Sequence, residues 1–291
     1  MSVFNAPEME SEEFELWQAY LEKQTGLWLP ESRKPFLIRA LSGYMLSKGI
    51  SNYRELYFKL NAGAVSVGDW ASLVDSLTVN ETCFYREKHS LGLVSSYCRN
   101  MAIERFQAAP DKPQHLQLWS VGCSTGEEVY TLAIEMDKLN LGLHDSVGKE
   151  VYFGVTGIDI SYPSLAVARE GVYAARQLDF VPMVTKNLYF NRLADGYFQI
   201  RDNIRQRCCF IQSNILEMKA KLKQNYDVIY CQNVLIYFKQ DRKQSVIDEL
   251  VERLKPGGLL VLGHGEITGT NNDLLTKVDN KHCLAYLRKD K

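Results

Sequence analysis

From about residue 115 onward, short apolar runs alternate with amphipathic stretches of helix period, and this alternation constrains the fold more than any other feature of the chain. HLQLWSVGC (115–123) reads as a first strand, GEEVYTLAIEMDKLN as the helix after it, VYFGVTGIDI as a second strand and PSLAVAREG as a second helix. CCFIQSN and YDVIYCQN read as a third and a fourth strand and RKQSVIDELVERLK as a further helix. KPGG turns into a fifth strand, LLVLGHG, and HCLAYLRK adds one more near the end. Such alternation implies an α/β fold, a mostly parallel sheet in three layers. Residues 172–207 interrupt it, and YFQIRDNIRQRC within them resembles a small antiparallel β insertion.

The first 75 or so residues have another texture. Apolar residues recur at helix spacing in four stretches, among them Phe14, Trp17 and Tyr20, then Phe36, Leu37, Ala40, Leu41, Tyr44 and Met45. No strand pattern intervenes, so a small all-α domain is expected. Its charge is uneven: residues 1–30 hold six Glu and one Lys (−5), residues 31–60 six Lys or Arg and two Glu (+4). The whole chain carries a net charge of −1, which gives no support to bulk attraction towards nucleic acid or lipid. No apolar run is long enough for a membrane helix, and the acidic N-terminus does not read as a secretory signal. Seven cysteines without a CxxC pair suggest neither disulfides nor a metal site. A protein of the cytoplasm, monomeric and not membrane-embedded, is expected.

The most informative segment is the turn SVGCSTGEEVY. In an open α/β sheet, ligands bind at the carboxyl ends of the strands, where this turn lies. A dinucleotide fold would show GxGxxG, which is missing. Two acids, Glu127 and Glu128, follow the turn where a phosphate would otherwise meet the helix N-terminus. They would repel a phosphate and tolerate a cation, as in S-adenosylmethionine (SAM), which bears a sulfonium and an ammonium but no phosphate. Thr125-x-x-Glu128 matches a capping box, which assigns Glu128 to capping and leaves Glu127 to reach the ligand. Asp159 ends the second strand and is placed to accept ribose hydroxyls, with Ser161 the better helix cap. Asn214 and Asn233 stand at the ends of the third and fourth strands. The string NETCFYRE (80–87) sets Asn80, Thr82 and Arg86 among aromatics ahead of the α/β domain, suited to a segment folding over a ligand.

NETCFYR, GCSTGEEVYTLA, GIDIS, CQNVLIYF and KPGGLLVLGHGE, in this order, resemble the CheR-type chemoreceptor glutamate methyltransferases over residues 10–290. The resemblance implies a SAM-dependent methyltransferase (Rossmann-like) domain at 115–291 with its insertion at 172–207. It further implies a helical substrate-docking domain at 1–78 and a linker with a helix at 79–114. Implied SAM contacts are Asn80, Thr82, Arg86, Glu127, Asp159, Asn214, Ile215, Gln232 and Asn233, with Tyr237 orienting the acceptor. The implied activity is that of a protein-glutamate O-methyltransferase, forming methyl esters on Glu side chains of a chemoreceptor's cytoplasmic signalling domain in sensory adaptation, with S-adenosyl-L-homocysteine as the product.

Departures from the family pattern are informative. The Arg of its CRNVLIYF motif is Gln232 here, which keeps open a catalytically weak SAM-binding regulatory module. The family's Arg-rich recognition helix is diluted to Arg33, Lys34, Arg39 and Lys48, the expected docking region. This dilution leans towards the type IV pilus (PilK-like) branch, serving twitching motility. A nucleic-acid methyltransferase would show a basic stripe and an NPPY-like motif, and neither occurs. Because the acceptor carboxylate is ionised near neutrality, no general base is expected, and the rate should be nearly flat from about pH 6.5 to 8.5. His264, in GHGE, is the nearest candidate base and reads better as a packing residue.

Overall fold

The computed structural model describes residues 7–78, 82–217, 224–267 and 269–290. Four helices open the chain: α1 (Ser11–Thr25), α2 (Lys34–Lys48), α3 (Tyr53–Asn61) and α4 (Val67–Leu77). Gly26 (φ 79°) ends α1 and Gly49 (φ 65°) ends α2, each in the left-handed conformation that glycine adopts without a Cβ penalty. Their core is built on Trp17, Leu21, Leu37, Leu41 and Met45. Trp17, Tyr20, Tyr57 and Trp70 meet edge to face, with ring centroids 5.4–6.0 Å apart.

A 21-residue helix, α5 (Lys88–Ala108), leads into β1 (Gln114–Val121), α6 (Glu127–Val147), β2 (Val151–Asp159) and α7 (Tyr162–Glu170). The insertion follows: β3 (Val172–Ala174), α8 (Met183–Tyr189), β4 (Phe190–Arg192), β5 (Tyr197–Ile200) and α9 (Asp202–Arg205). The chain then returns through β6 (Cys208–Gln212), β7 (Tyr226–Cys231), α10 (Gln240–Arg253), β8 (Leu254–Leu262), β9 (Leu275–Lys277) and β10 (Leu284–Arg288).

The main sheet has the order β6-β2-β1-β7-β8-β10-β9. The first five strands are parallel and the last two pair antiparallel. β7 is buried at every residue, as a central parallel strand covered on both faces must be. One apolar core joins α5 and α6 to the sheet through Val94, Leu118, Leu132 and Val228. A second, on the opposite face, joins α10 through Trp119, Ile229, Ile247 and Leu260. The insertion forms a separate antiparallel sheet, β3-β5-β4, as its sequence suggests. The helix α8 within it was not foreseen, and neither was the start of β8, which takes in the KPGG turn.

The helical domain reaches the carboxyl end of the sheet. Trp28 N donates to Tyr237 O (2.8 Å), and Lys239 pairs with Glu22 (2.8 Å) while lying 3.7 Å from the Trp28 ring centroid. Gly26 sits so close that an added Cβ would lie 2.7 Å from the Phe238 ring.

Candidate active site

Three backbone positions in the turn after β1 are left-handed: Gly122 (φ 69°), Ser124 (φ 47°) and Gly126 (φ 92°). The turn is pinned from both sides. Cys123 N donates to Ile158 O (2.9 Å), and Ser124 N donates to Asp159 Oδ2 (2.7 Å). Asp159 Oδ1 accepts from Ser161 N (2.8 Å), and Ser161 caps α7 by accepting from Ser164 N (3.1 Å).

This turn forms the boundary of a two-chambered cleft at the carboxyl ends of β1, β2 and β7. Gly122, Ser124, Asn233 and Tyr237 face both chambers. The larger, with a volume of about 220 Å³, is polar, with Thr82, Arg86, Glu128, Gln232 and Arg33 in its walls. The smaller, about 110 Å³, is mainly apolar: Leu27, Ile158, Ile215, Val234 and Phe238 line it together with the polar Asp159 and Asn214. Asn233 turns the chain between the chambers in the left-handed region (φ 59°), which Asn tolerates.

The structure places Glu127 and Glu128 differently from what a capping box would require. The N-cap of α6 is Gly126, which has no side chain, so the Thr125–Glu128 capping box does not form. Glu128 lines the cleft and accepts from Ser120 Oγ (2.6 Å). Glu127 is fully buried instead, accepting from Thr125 Oγ1 (2.7 Å) and Gln177 Nε2 (2.5 Å). The reason is helix geometry: adjacent residues lie about 100° apart, so only one of the two acids can face the cleft.

Other residues fall as follows. Asn80 lies outside the described residues. Gln232 has its amide occupied, with Nε2 donating to Ser90 Oγ (2.8 Å) and Leu262 O (3.4 Å) and Oε1 accepting from Tyr230 OH (3.0 Å). Asn214 Nδ2 donates to Gln24 O (3.0 Å), across to the helical domain. His264 is exposed rather than packed. Glu266, directly after the GHG turn, is buried and holds the loop after β7 by accepting from Leu235 N (3.4 Å). Arg33 faces the cleft, whereas Arg39 borders an outer groove between α2 and α4. Lys48 is tied to Asp69 (2.7 Å), and Lys34 lies 5.9 Å from the Phe14 ring centroid.

Sequence reasoning gave Glu128 to the helix cap, and it missed Ser124 and the contribution of Thr25 and Leu27 to the cleft. The signal for the last was present: TGLWLP is strongly apolar yet lies beyond the end of α1, which is unusual for a surface connection.

The carboxyls in and behind the cleft share one electrostatic character. Burial pushes Glu128 up to about 8, helped by the nearby carboxylates Glu266 and Glu87 and opposed by the Ser120 hydrogen bond and Arg86. Burial likewise raises Asp159 and Glu266 against the hydrogen bonds that their neighbours' N–H groups donate. Tyr237 is also raised by burial, despite Arg33 and Arg86, so its phenol remains a donor at neutral pH. Carboxyls in this state favour a cation.

The chain matches two family descriptions in sequence: "CheR methyltransferase, all-alpha domain" over residues 12–78 and "CheR methyltransferase, SAM binding domain" over 80–284. Curated relatives agree. Chemotaxis protein methyltransferase 2 of Vibrio cholerae is 30% identical over 85% of this chain and 82% of its own. Chemotaxis protein methyltransferase 2 of Pseudomonas aeruginosa is 30% identical over 88% and 86%. The chemotaxis protein methyltransferase of Borreliella burgdorferi is 28% identical over 86% of each chain. Fold and cleft thus define a SAM-dependent methyltransferase. The chain belongs to the CheR family of chemotaxis methyltransferases.

Proposed function

We propose that the two-chambered cleft holds SAM, with Asp159 accepting from the ribose hydroxyls and Glu128 facing the cationic end. The observation that carries this reading is the placement of these two carboxyls, Asp159 at the end of β2 and Glu128 in the first turn of α6 after the adjacent strand β1, one in each chamber. Ser124 Oγ, at the boundary of both chambers, is buried without a hydrogen-bond partner, which suits a site built for a polar ligand. Thr82, Arg86, Asn214, Ile215, Gln232 and Asn233 complete the proposed contacts. Asn80 is retained in that set on the motif alone, and Glu127 gives way to Glu128.

SAM supplies the methyl group when bound. The acceptor is a Glu side chain of a chemoreceptor's signalling domain, whose ordinary pKa of about 4.3 leaves it ionised at neutral pH. The chain therefore needs no general base, and its task is alignment and exclusion of water. Arg33, Arg86 and the Tyr237 phenol stand together at the polar chamber, where a guanidinium can hold a carboxylate by two parallel hydrogen bonds. Tyr237 is an orienting residue in this scheme.

The receptor is proposed to dock on α2. Phe36, Ala40, Gly43, Tyr44 and Leu73 line the groove between α2 and α4, of about 390 Å³, with Arg39 beside them. An amphipathic helix fits such a groove. Lys34 and Lys48 extend the basic surface around it. The largely neutral floor supports a partner of the pilus chemosensory type, in which the enzyme acts as a monomer in the cytoplasm. Among the described residues no helix is long and apolar enough to cross a membrane.

Calorimetric titration with SAM tests the site. Asp159→Ala is expected to weaken binding by about 1–3 kcal/mol, because buried ligand hydroxyls lose a charged partner. An unchanged dissociation constant would remove Asp159 from the site.

A further inference from the structure

The helical domain meets the sheet domain at a second joint, distinct from the one at Trp28. Asp75, in the last turn of α4, faces the N-terminus of α7 and accepts from two hydroxyls there, those of Ser161 and Ser164, the latter at 3.3 Å. Ser161 is fully buried and Ser164 nearly so. The same Ser161 gives its N–H to Asp159 Oδ1 (2.8 Å). The main-chain carbonyl of Asp75 has a parallel task. It accepts from Thr78 Oγ1 (2.9 Å) and Thr78 N (3.2 Å), and Thr78 forms part of the apolar chamber's wall.

One residue of the helical domain thus holds two parts of the same chamber. Its carboxylate fixes the turn that carries Asp159, and its carbonyl fixes Thr78. The carboxylate also lies at the N-terminus of α7, where the helix dipole favours negative charge. Without it, the buried hydroxyls of Ser161 and Ser164 would lack this acceptor, and Ser161 would be free to rotate away from the cap it forms.

We infer that Asp75 is a positioning residue for the cofactor: from the helical domain it sets the turn of Asp159, and so couples the seating of that domain to SAM affinity. This rests on the reading of Asp159 as a SAM contact. Coupling of this kind is reciprocal, so whatever displaces α4 also changes the hold on SAM.

The test is SAM binding by calorimetry on the full chain, with methyl-transfer kinetics and a melting temperature for each variant. Asp75→Ala is expected to raise the dissociation constant about tenfold and the KM for SAM with it, while kcat at saturating SAM stays within about twofold. Asp75→Asn keeps an acceptor oxygen and should bind within about threefold of wild type. Asp75→Ala combined with Ser161→Ala should lose clearly less than the sum of the two single losses, because the two residues act largely through their mutual contact. Should Asp75→Ala not fold, Asp75→Glu displaces the carboxylate by one methylene and should raise the constant at least about threefold. Additive losses in the double variant, or a lowered melting temperature with unchanged SAM affinity, would overturn the inference. Asp159→Ala separates the two readings. If it too leaves affinity unchanged, the assignment of Asp159 fails and the inference with it. If it weakens binding while the Asp75 variants do not, the inference alone fails.

Discussion

Ser120 Oγ, near the end of β1, donates to Glu128 Oε1 over 2.6 Å, so the strand itself aims the first acid of the cleft. That hydrogen bond favours the ionised form, yet burial outweighs it and Glu128 titrates at about 8. Below that pH the free protein holds a proton that a cationic ligand must displace. SAM binding should therefore release a proton near pH 7 and tighten as pH rises from about 6 to 8. Calorimetry at one pH in buffers of different ionisation enthalpy measures the release. The sign for stability is opposite. A carboxyl whose folded pKa is raised favours the folded state while protonated, so its contribution is lost as pH rises from the unfolded value towards 8. Glu128→Gln should raise the melting temperature of the free protein at pH 8 while weakening SAM. A flat profile of kcat/KM for SAM over this range would contradict the assignment.

At Gly157, β2 passes close to α6. A Cβ there would lie 2.6 Å from Val129 Cγ2 and 2.8 Å from Cys123 Sγ. Gly157→Ala should destabilise the fold by about 1–3 kcal/mol, read by denaturant titration, because neither neighbour is the free end of a flexible chain. Displacement of Cys123 also disturbs the turn at Ser124, so SAM affinity should fall with stability. A variant as stable as wild type would show that the strand and helix can separate without loss.

Charge on the docking helix should act mainly on encounter. Arg39→Glu with Lys34→Glu is expected to raise the KM for receptor and to reduce its dependence on salt, since such charges steer over about 8–10 Å. SAM affinity should not change. Arg33 is excluded from this pair because it faces the cleft. Equal salt dependence in wild type and variant would show that the receptor is read elsewhere, the insertion being the next surface to test.

Much of this architecture was legible in the sequence, and the reasons are physical. Central parallel strands such as YDVIYC are continuous apolar runs, and the helices between them have a clear 3.6-residue period, so the alternation that orders the sheet is visible. Asp159 and Asn233 were legible because the end of a strand is a position the sequence shows directly. The choice between Glu127 and Glu128 was not. It depends on the left-handed turn at Gly126, which removes the side-chain cap and rotates the first turn of α6 so that Glu128 meets Ser120. Contacts between distant segments were equally hidden. Nothing in the sequence around Asp75 signals Ser161, and nothing around Gln24 signals Asn214, because each pair is made by the packing of one domain on the other.

This cleft is proposed to move a methyl group from SAM to a Glu carboxylate of a receptor. The most direct measurement incubates the full chain with a receptor signalling fragment and SAM labelled in its methyl group, then treats the product with mild base. The account predicts label on the receptor at Glu, released by base as methyl esters are, and strongly reduced transfer with Glu128→Gln or Asp159→Ala. Base-stable label, label on another residue type, or full transfer by both variants would contradict it.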